Sequence, residues 1–318
     1  MGRPLVVAVV LNWNKTQDTV QCVEGLRRQE YHPLQVIVVD NGSEEGSLGP
    51  IEALSPPVLL IRNARNLGFA GGVNVGIACA QAEEADLIWL VNNDAIPEPG
   101  ALSCCVAAME ADARLGLVSP VILNADAGDQ VEFCGGLWDR AVFRTTNEPA
   151  TYCGWAEAVP ERIWLVGTAL LIRRSLADEI GGFDEALFAY WEDNDYSVRA
   201  IMAGFRCSMV LDARVRHWSG RPVTDPGLKP VHYNYYMARN EILLMRKMLK
   251  YQARIRPLRW AIGRQMRRVN ALSEYPVSVH AIFAGLWDGL RGRGGAFVPG
   301  RQVRGMGVLR LVARMLAR

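Results

Sequence analysis

The chain has 318 residues, half of them hydrophobic, and a formal charge of +2; this fits one large domain or two smaller ones and excludes a disordered or collagen-like chain. The charge is divided, because Ile242 to Arg318 holds 16 Lys/Arg against 2 Asp/Glu, a segment of +14 that leaves −12 for the rest. Seven Cys with no CxxC pair and no His at zinc spacing argue against a zinc site, and no apolar run reaches the roughly 18 residues of a transmembrane helix.

Leu5–Leu11 is a Val-rich apolar run and reads as a buried strand. Thr16–Gln29 follows with Val20, Val23 and Leu26 at helical spacing, and Leu34–Val39 is a second strand ending at Asp40-Asn41-Gly42-Ser43. Pro57–Ile61 is a short third strand, Gly68–Ala82 a helix of small residues, Asp86–Val91 a fourth strand and Pro99–Ala111 another helix. Strand alternating with helix implies a parallel sheet with helices on both faces, with the strand ends at 12, 40, 62 and 92 along one edge. Beyond Leu115–Leu123 the pattern weakens. Asn124–Pro160 reads as a loop or hairpin insertion, and Ile163–Ile172 as an apolar run with Gly167-Thr168 inside it. Glu192–Ala203 reads as a helix, Arg206–Leu211 as a strand and Pro230–Leu249 as a long helix. Arg256–Arg318 holds helical stretches broken by "RGRGGAFVPGRQVRG".

Ligands of open α/β sheets bind at strand tips, and four stretches there carry chemistry. In "VIVVDNGS" Asp40 can accept an N–H from a pyrimidine ring or a ribose hydroxyl; the bland reading is a turn or N-cap Asp. "NLGFAGGVNVGI" (Asn66–Ile77) lets backbone approach a ligand and opens a helix whose N-terminus favours phosphate, or is simply a tight turn with close helix packing. It is neither a Walker loop nor a dinucleotide fingerprint. In "LIWLVNNDAIPEPG", Asp94 with Asn92 can give a divalent cation the one or two oxygen ligands it takes beside a diphosphate; the alternative is an Asx turn. In "FAYWEDNDYSVRA", a carboxylate beside an apolar wall suits a general base. Glu192 and Asp195 fall where helix starts prefer acids, which leaves Asp193 as the better base.

These pieces resemble, in order, the family 2 glycosyltransferases of the GT-A fold, and most of all the bacterial rhamnosyltransferase-like branch that builds cell-surface polysaccharides. The matching stretches are "VVLNWN", "VVDNGS", "NLGFAGGVNVGI", "LVNNDAIPEPGAL", "VGTALLIRRS", "IGGFDEALFAYWEDNDYSVRAIMAGF" and "YMARNEI", covering roughly Leu5 to Glu241. The resemblance implies a mostly parallel twisted α/β sheet flanked by helices. Residues 1–125 would form a nucleotide-sugar half, 126–250 an acceptor and catalytic half, and 251–318 a basic helical extension. It implies that Asp40 meets the base of a nucleoside-diphosphate sugar. Asp94 stands at the last position of the family's Asp-x-Asp motif and would hold Mn²⁺ or Mg²⁺; the first position is Asn92, which lowers the charge of the site. Asp193 falls in the family's Glu-Asp pair as the base, and His217 in "VRHWSG" matches a His of the metal site. Asn12, Asn66, Gly68, Gly72 and Asn93 complete the donor side, and Trp191, Glu192, Gly167 and Thr168 the acceptor side. Trp13 is read equally as a pocket wall or as core.

The chemistry so implied is a single inverting displacement, from a dTDP- or UDP-sugar (dTDP-rhamnose first) to a hydroxyl of a glycan or lipid-linked acceptor. Two readings compete: a sugar nucleotidyltransferase, and a non-catalytic scaffold of the same fold. Arg254, Arg256, Arg259, Arg264, Arg267 and Arg268, with the closing "VRGMGVLRLVARMLAR", form basic amphipathic stretches suited to an anionic membrane surface, or to docking on the body or on a second subunit in a homo-oligomer. No nucleic-acid recognition module is visible. With an odd number of thiols and no signal-peptide or myristoylation pattern at "MGRPLVVAVVLNWN", a cytoplasmic location is expected, peripheral on the inner face of the membrane.

Overall fold

The computed structural model describes residues 2–139, 142–218, 229–252 and 256–300. They fall into two compact units, one drawn from residues 1–138, 143–183 and 193–221, the other from 139–142, 184–192 and 222–318.

The first unit begins as the apolar periodicity requires: β1 (Val6–Asn12), α1 (Thr16–Arg27), β2 (Leu34–Asp40), a single-turn α2 (Gly49–Glu52), β3 (Leu59–Arg62), α3 (Gly68–Ala82), β4 (Leu87–Asn92), β5 (Ala95–Pro97) and α4 (Ala101–Ala111). There follow β6 (Leu115–Asn124), β7 (Gln130–Phe133), β8 (Gly136–Asp139), β9 (Val142–Thr145), α5 (Pro149–Ala158), β10 (Ile163–Trp164), β11 (Ala169–Arg173), α6 (Arg174–Ile180), α7 (Glu192–Met202) and β12 (Arg206–His217). The main sheet runs β3-β2-β1-β4-β11-β6-β12-β5, with β7 also paired to β6. In β1 and β4 nearly every side chain is buried, as befits strands covered on both faces.

Register aligns the strand tips. Asn12 stands opposite Asp40, Leu11 opposite Asn92, and Asp40 opposite Arg62, so the ends at 12, 40, 62 and 92 share one edge. Three strands of this sheet depart from the parallel expectation: β11 lies antiparallel between β4 and β6, β5 antiparallel on β12, and β7 antiparallel on β6. The run Ile163–Ile172 is accordingly broken in two. Its first residues pair with β8, its last join the main sheet, and residues 165–168 cross the sheet edge between them. The stretch Asn124–Pro160 is more ordered than a loop. It carries β7, the antiparallel β8-β9 pair and the helix α5, which Pro149 opens at a position where its missing N–H costs nothing. Tyr152 anchors α5 by packing on Gly135; its hydroxyl accepts from the N–H of Met209 at 2.8 Å and shares a hydrogen bond with the Ser208 hydroxyl at 3.1 Å.

Close approach of α3 to the sheet needs small residues. A Cβ on Gly76 would stand 2.2 Å from Val9 Cγ1, and one on Gly72 2.5 Å from Leu11 Cδ1. Gly76→Val is therefore expected to overpack the core and lower stability by about 1–3 kcal/mol, read as a lower denaturant midpoint at unchanged slope.

The second unit is helical: α8 (Val231–Gln252), α9 (Arg256–Ala271) and α10 (Pro276–Arg291). Helices α8 and α10 cross closely because glycine faces the contact. A Cβ on Gly285 would lie 2.3 Å from the carbonyl oxygen of Tyr235, and one on Gly289 2.7 Å from that of Arg239. No helix among the described residues is long and apolar enough to cross a membrane.

Candidate active site

The sheet edge at the ends of β1, β2, β4 and β12 gathers most of the polar groups singled out above. At the tip of β1, Asn12 is fully buried and donates from Nδ2 to Asp40 Oδ1 at 2.9 Å and to Ser43 Oγ at 3.1 Å, while its Oδ1 accepts from Thr19 Oγ1 at 2.8 Å. Asp40 is 3 % exposed and also accepts from the backbone N–H and the hydroxyl of Ser43. Both residues hold the strand tips together, and Asp40 keeps only a small share of its surface in contact with solvent. Trp13, by contrast, is 53 % exposed, so its core reading is wrong.

The glycine-rich turn is organised by a residue that motif reading passed over. Asn41 is buried and donates to Asn66 Oδ1 at 3.2 Å and to the Gly68 carbonyl at 3.0 Å, while its own Oδ1 accepts from the Leu67 N–H at 3.1 Å. Asn66 Oδ1 also accepts from the Gly68 N–H at 2.7 Å. Gly68 sits at φ +79°, where a side chain would be strained. Gly72 faces Leu11 and the Asn41 amide, a packing role.

Past β4, the N–H of Asn92 donates to the Thr168 carbonyl at 2.9 Å, and Asn93 donates to Thr19 Oγ1 at 3.1 Å. Asp94 Oδ1 lies 3.2 Å from His217 Nε2, and the other imidazole nitrogen, Nδ1, lies 3.3 Å from Glu132 Oε2. The pairing follows from register, since His217 stands opposite both Ala95 on β5 and Asn124 on β6, and β7 carries Glu132 alongside. Burial alone would push the imidazole down; the hydrogen bonds to Asp94 and Glu132 outweigh it and hold His217 at about 9. Glu132 was missed because it lies in no motif and reaches the site only through the β6-β7 pairing.

A divalent cation fits this donor set. Asp94 offers a partly exposed carboxylate oxygen and His217 an imidazole nitrogen beside it, and Glu132 on the far nitrogen is the outer carboxylate that fixes a ligating tautomer. Among the described residues no group of three or more His, Cys, Asp or Glu is arranged to hold a metal. Two protein ligands suit a cation that takes its other oxygens from a diphosphate and water.

Asp193 is the second residue of α7. Its Oδ2 accepts from the Gly167 N–H at 3.3 Å and its Oδ1 from the Asn194 N–H at 2.7 Å. Its carboxylate is ringed by protein yet still partly open to solvent, and burial pushes it up to about 6 against the pull of those N–H groups. The sequence stretch Gly167-Thr168 thus joins the two halves of the edge: Thr168 holds the tip of β4, and Gly167 holds Asp193. Asp195 pairs with Arg199 at 2.8 Å, and Arg199 also donates to the carbonyls of Ile180 and Gly182. The Gly181–Phe183 turn is structural, with Asn74 donating to and accepting from the Phe183 backbone.

In the second unit, the residues that precede Asp193 are strained. Phe188, Tyr190 and Trp191 have φ of +64°, +68° and +71°, a region that costs a bulky residue about 1–3 kcal/mol each. Trp191 is 9 % exposed, with the Arg264 guanidinium 5.5 Å from its ring centre; Glu192 is buried at 8 %. Of the basic cluster, Arg264 pairs with Glu241, and Arg268 donates to Gln265 and Asn234, so both turn inward, whereas Arg259 and Arg267 are exposed. Arg254, the side chain of Arg256 and the closing "VRGMGVLRLVARMLAR" lie outside the described residues.

The curled central sheet and its flanking helices have the GT-A fold of solved glycosyltransferases. The solved mannosyltransferase PcManGT from Pyrobaculum calidifontis, in complex with GDP-Man and Mn²⁺, superposes with a TM-score of 0.56 over all of this chain and 81 % of its own, at 16 % identity. The family described as glycosyl transferase family 2 matches residues 7–153, and glycosyl transferase family group 2 matches residues 87–298. The chain belongs to the family 2 glycosyltransferases. Among curated relatives, the N-acetylglucosaminyl-diphospho-decaprenol L-rhamnosyltransferase of Mycobacterium tuberculosis is 30 % identical over 58 % of this chain and 66 % of its own length. The galactofuranosyltransferase GlfT1 of Mycolicibacterium smegmatis is 26 % identical over 70 % of this chain and 74 % of its own. The match thus spans just under two thirds of the first of these relatives.

Proposed function

We propose that this chain transfers a sugar, with inversion, from a nucleoside-diphosphate sugar to a hydroxyl of a glycan or lipid-linked acceptor. The observation that supports it most is the shared sheet edge. Asp40, Asp94 with His217, and Asp193 stand at the tips of β2, β4 and β12 and beside the start of β11. From β2 to β11 is three strand spacings, about 14 Å, which an extended base, ribose, diphosphate and sugar can bridge. The exposed Trp13 and Asp40 would receive the base, and Asp94 and His217 would hold Mn²⁺ or Mg²⁺. When bound, the cation neutralises charge developing on the leaving diphosphate.

Asp193 takes the proton from the acceptor hydroxyl as that oxygen attacks the anomeric carbon. A carboxyl raised to about 6 is ionised at neutral pH yet more basic than a free aspartate, which is what a general base needs. The Gly167 and Asn194 N–H groups each aim one of its oxygens, and each oxygen keeps a further electron pair for the substrate. Names of relatives support rhamnose first and galactofuranose second as the sugar, and the rhamnosyltransferase name supports a lipid-diphosphate acceptor. The exposed Arg259 and Arg267 of α9 suit contact with an anionic membrane surface.

Two measurements test the reading. Thermal shift across dTDP-, UDP- and GDP-sugars with Mn²⁺ should single out one donor class, because a ligand stabilises the form it binds. With that donor, kcat/KM should fall tenfold per pH unit below about 6, where Asp193 takes up a proton. The acid limb should vanish in Asp193→Asn; a limb that persists unchanged assigns the ionisation to another group.

A further inference from the structure

We propose that Arg239 and Asn240 are positioning residues of the transfer site, whose side chains clamp the left-handed turn Phe188–Trp191 that delivers the chain into Glu192-Asp193. The inference rests on the reading of Asp193 as base. The turn is enclosed within the second unit. Asn240 is fully buried, and its Nδ2 stands 2.8 Å from each of the carbonyl oxygens of Leu187, Ala189 and Tyr190. Its orientation is locked, because Arg239 Nε donates to Asn240 Oδ1 at 2.7 Å, leaving only the NH₂ group to face the turn. Arg239, also fully buried, spends its remaining N–H groups on the carbonyls of Ala186, Leu187 and Gly295.

The rest of the α8 face receives the turn's side chains. Phe188 stacks on Tyr236 with ring centres 5.6 Å apart, and Tyr190 meets Tyr233 edge to face at 5.1 Å. Positions 233, 236, 239 and 240 recur at helical spacing on one face, so "YNYYMARN" is a single surface built for that turn. Three bulky residues in a conformation they avoid persist only when their surroundings over-determine it, and such strain gathers at functional sites. A turn relaxed to ordinary backbone would displace the start of α7, and about 1 Å of misplacement at a reacting group is enough to cost about 100-fold in rate.

The test is Asn240→Asp, which keeps the shape, removes the donors to the three carbonyls, and sets its new carboxylate against the Arg239 guanidinium that already bonds this side chain. With wild type active, the proposal expects kcat down by about 100-fold, donor KM within about threefold, and little further loss when the change is added to Asp193→Asn, as residues that act as a unit behave. A kcat within about threefold of wild type overturns it. So does an equal loss in the Asp193→Asn background, which would mark a purely structural role. Should Asn240→Asp not fold, Asn240→Gln, which pushes the amide one methylene into the turn, gives the same readouts. Failure of the base assignment itself shows separately, as an Asp193→Asn enzyme that still transfers at the wild-type rate.

Discussion

Asp193→Asn is expected to bind the nucleotide sugar as wild type does and to transfer it about 10²–10⁴-fold more slowly, the usual contribution of a general base. The substitution is isosteric and keeps one acceptor oxygen, enough for one of the Gly167 and Asn194 N–H groups, which bond different oxygens of Asp193. Its effect on stability separates it from a structural residue. The Asp193 carboxyl is raised in the folded state from 3.8 to about 6, so the native protein binds this proton more tightly than the unfolded chain. Its contribution to stability is therefore greatest below about 4, falls as pH rises from 3.8 to about 6, and stays lost above that. At neutral pH Asp193→Asn removes a buried charge and should leave Tm equal or higher while activity collapses. Transfer by Asp193→Asn at the wild-type rate sinks the base assignment; a large fall in Tm with activity lost in proportion would mean the residue serves the fold.

Asp94→Ala should be nearly as damaging. A bound cation supplies several kcal/mol of charge stabilisation to a leaving diphosphate, which at 1.36 kcal/mol per decade is about 10³-fold in rate. With Asp94 removed, His217 alone would remain of the proposed ligand pair, and added Mn²⁺ should restore little. Glu132→Gln is the informative companion. It leaves both proposed ligands in place and weakens the carboxylate behind His217, so it should lower Mn²⁺ affinity by about 10–100-fold and recover fully at high Mn²⁺. The imidazole must also shed a proton held at about 9 before it can ligate. If Asp94→Ala keeps its rate in the presence of EDTA, the metal has no place at this edge.

Much of this site is legible from the sequence because local chemistry writes it. Val-rich runs that stop at Asn12, Asp40 and Asn92 mark buried strands and their tips, and parallel pairing then sets the tips on one edge. Asp193 stood out by its place beside an aromatic run at a helix start. What stayed hidden depends on pairing between distant segments. No periodicity tells the direction of β11 or its insertion between β4 and β6, and the arrival of Glu132 behind His217 needs the β6-β7 register. Hydrogen-bond partners were equally invisible. Asn12 and Asp40 spend their side chains largely on each other and on Ser43, so the same residues that look like ligand contacts in a motif are also the fasteners of the turn. Helix α5 escaped because only Tyr152 along it is buried, which leaves no apolar stripe to read.

The measurement closest to the central claim is release of nucleoside diphosphate from dTDP-rhamnose, UDP-galactofuranose, UDP-hexoses and GDP-sugars with a lipid-diphosphate sugar acceptor, run with Mn²⁺ and with EDTA. Wild type should consume one donor class only when acceptor and cation are present, and Asp193→Asn should consume none above background. Release that ignores EDTA, or that proceeds equally in both proteins, contradicts the account, as does a wild type that consumes no donor at all.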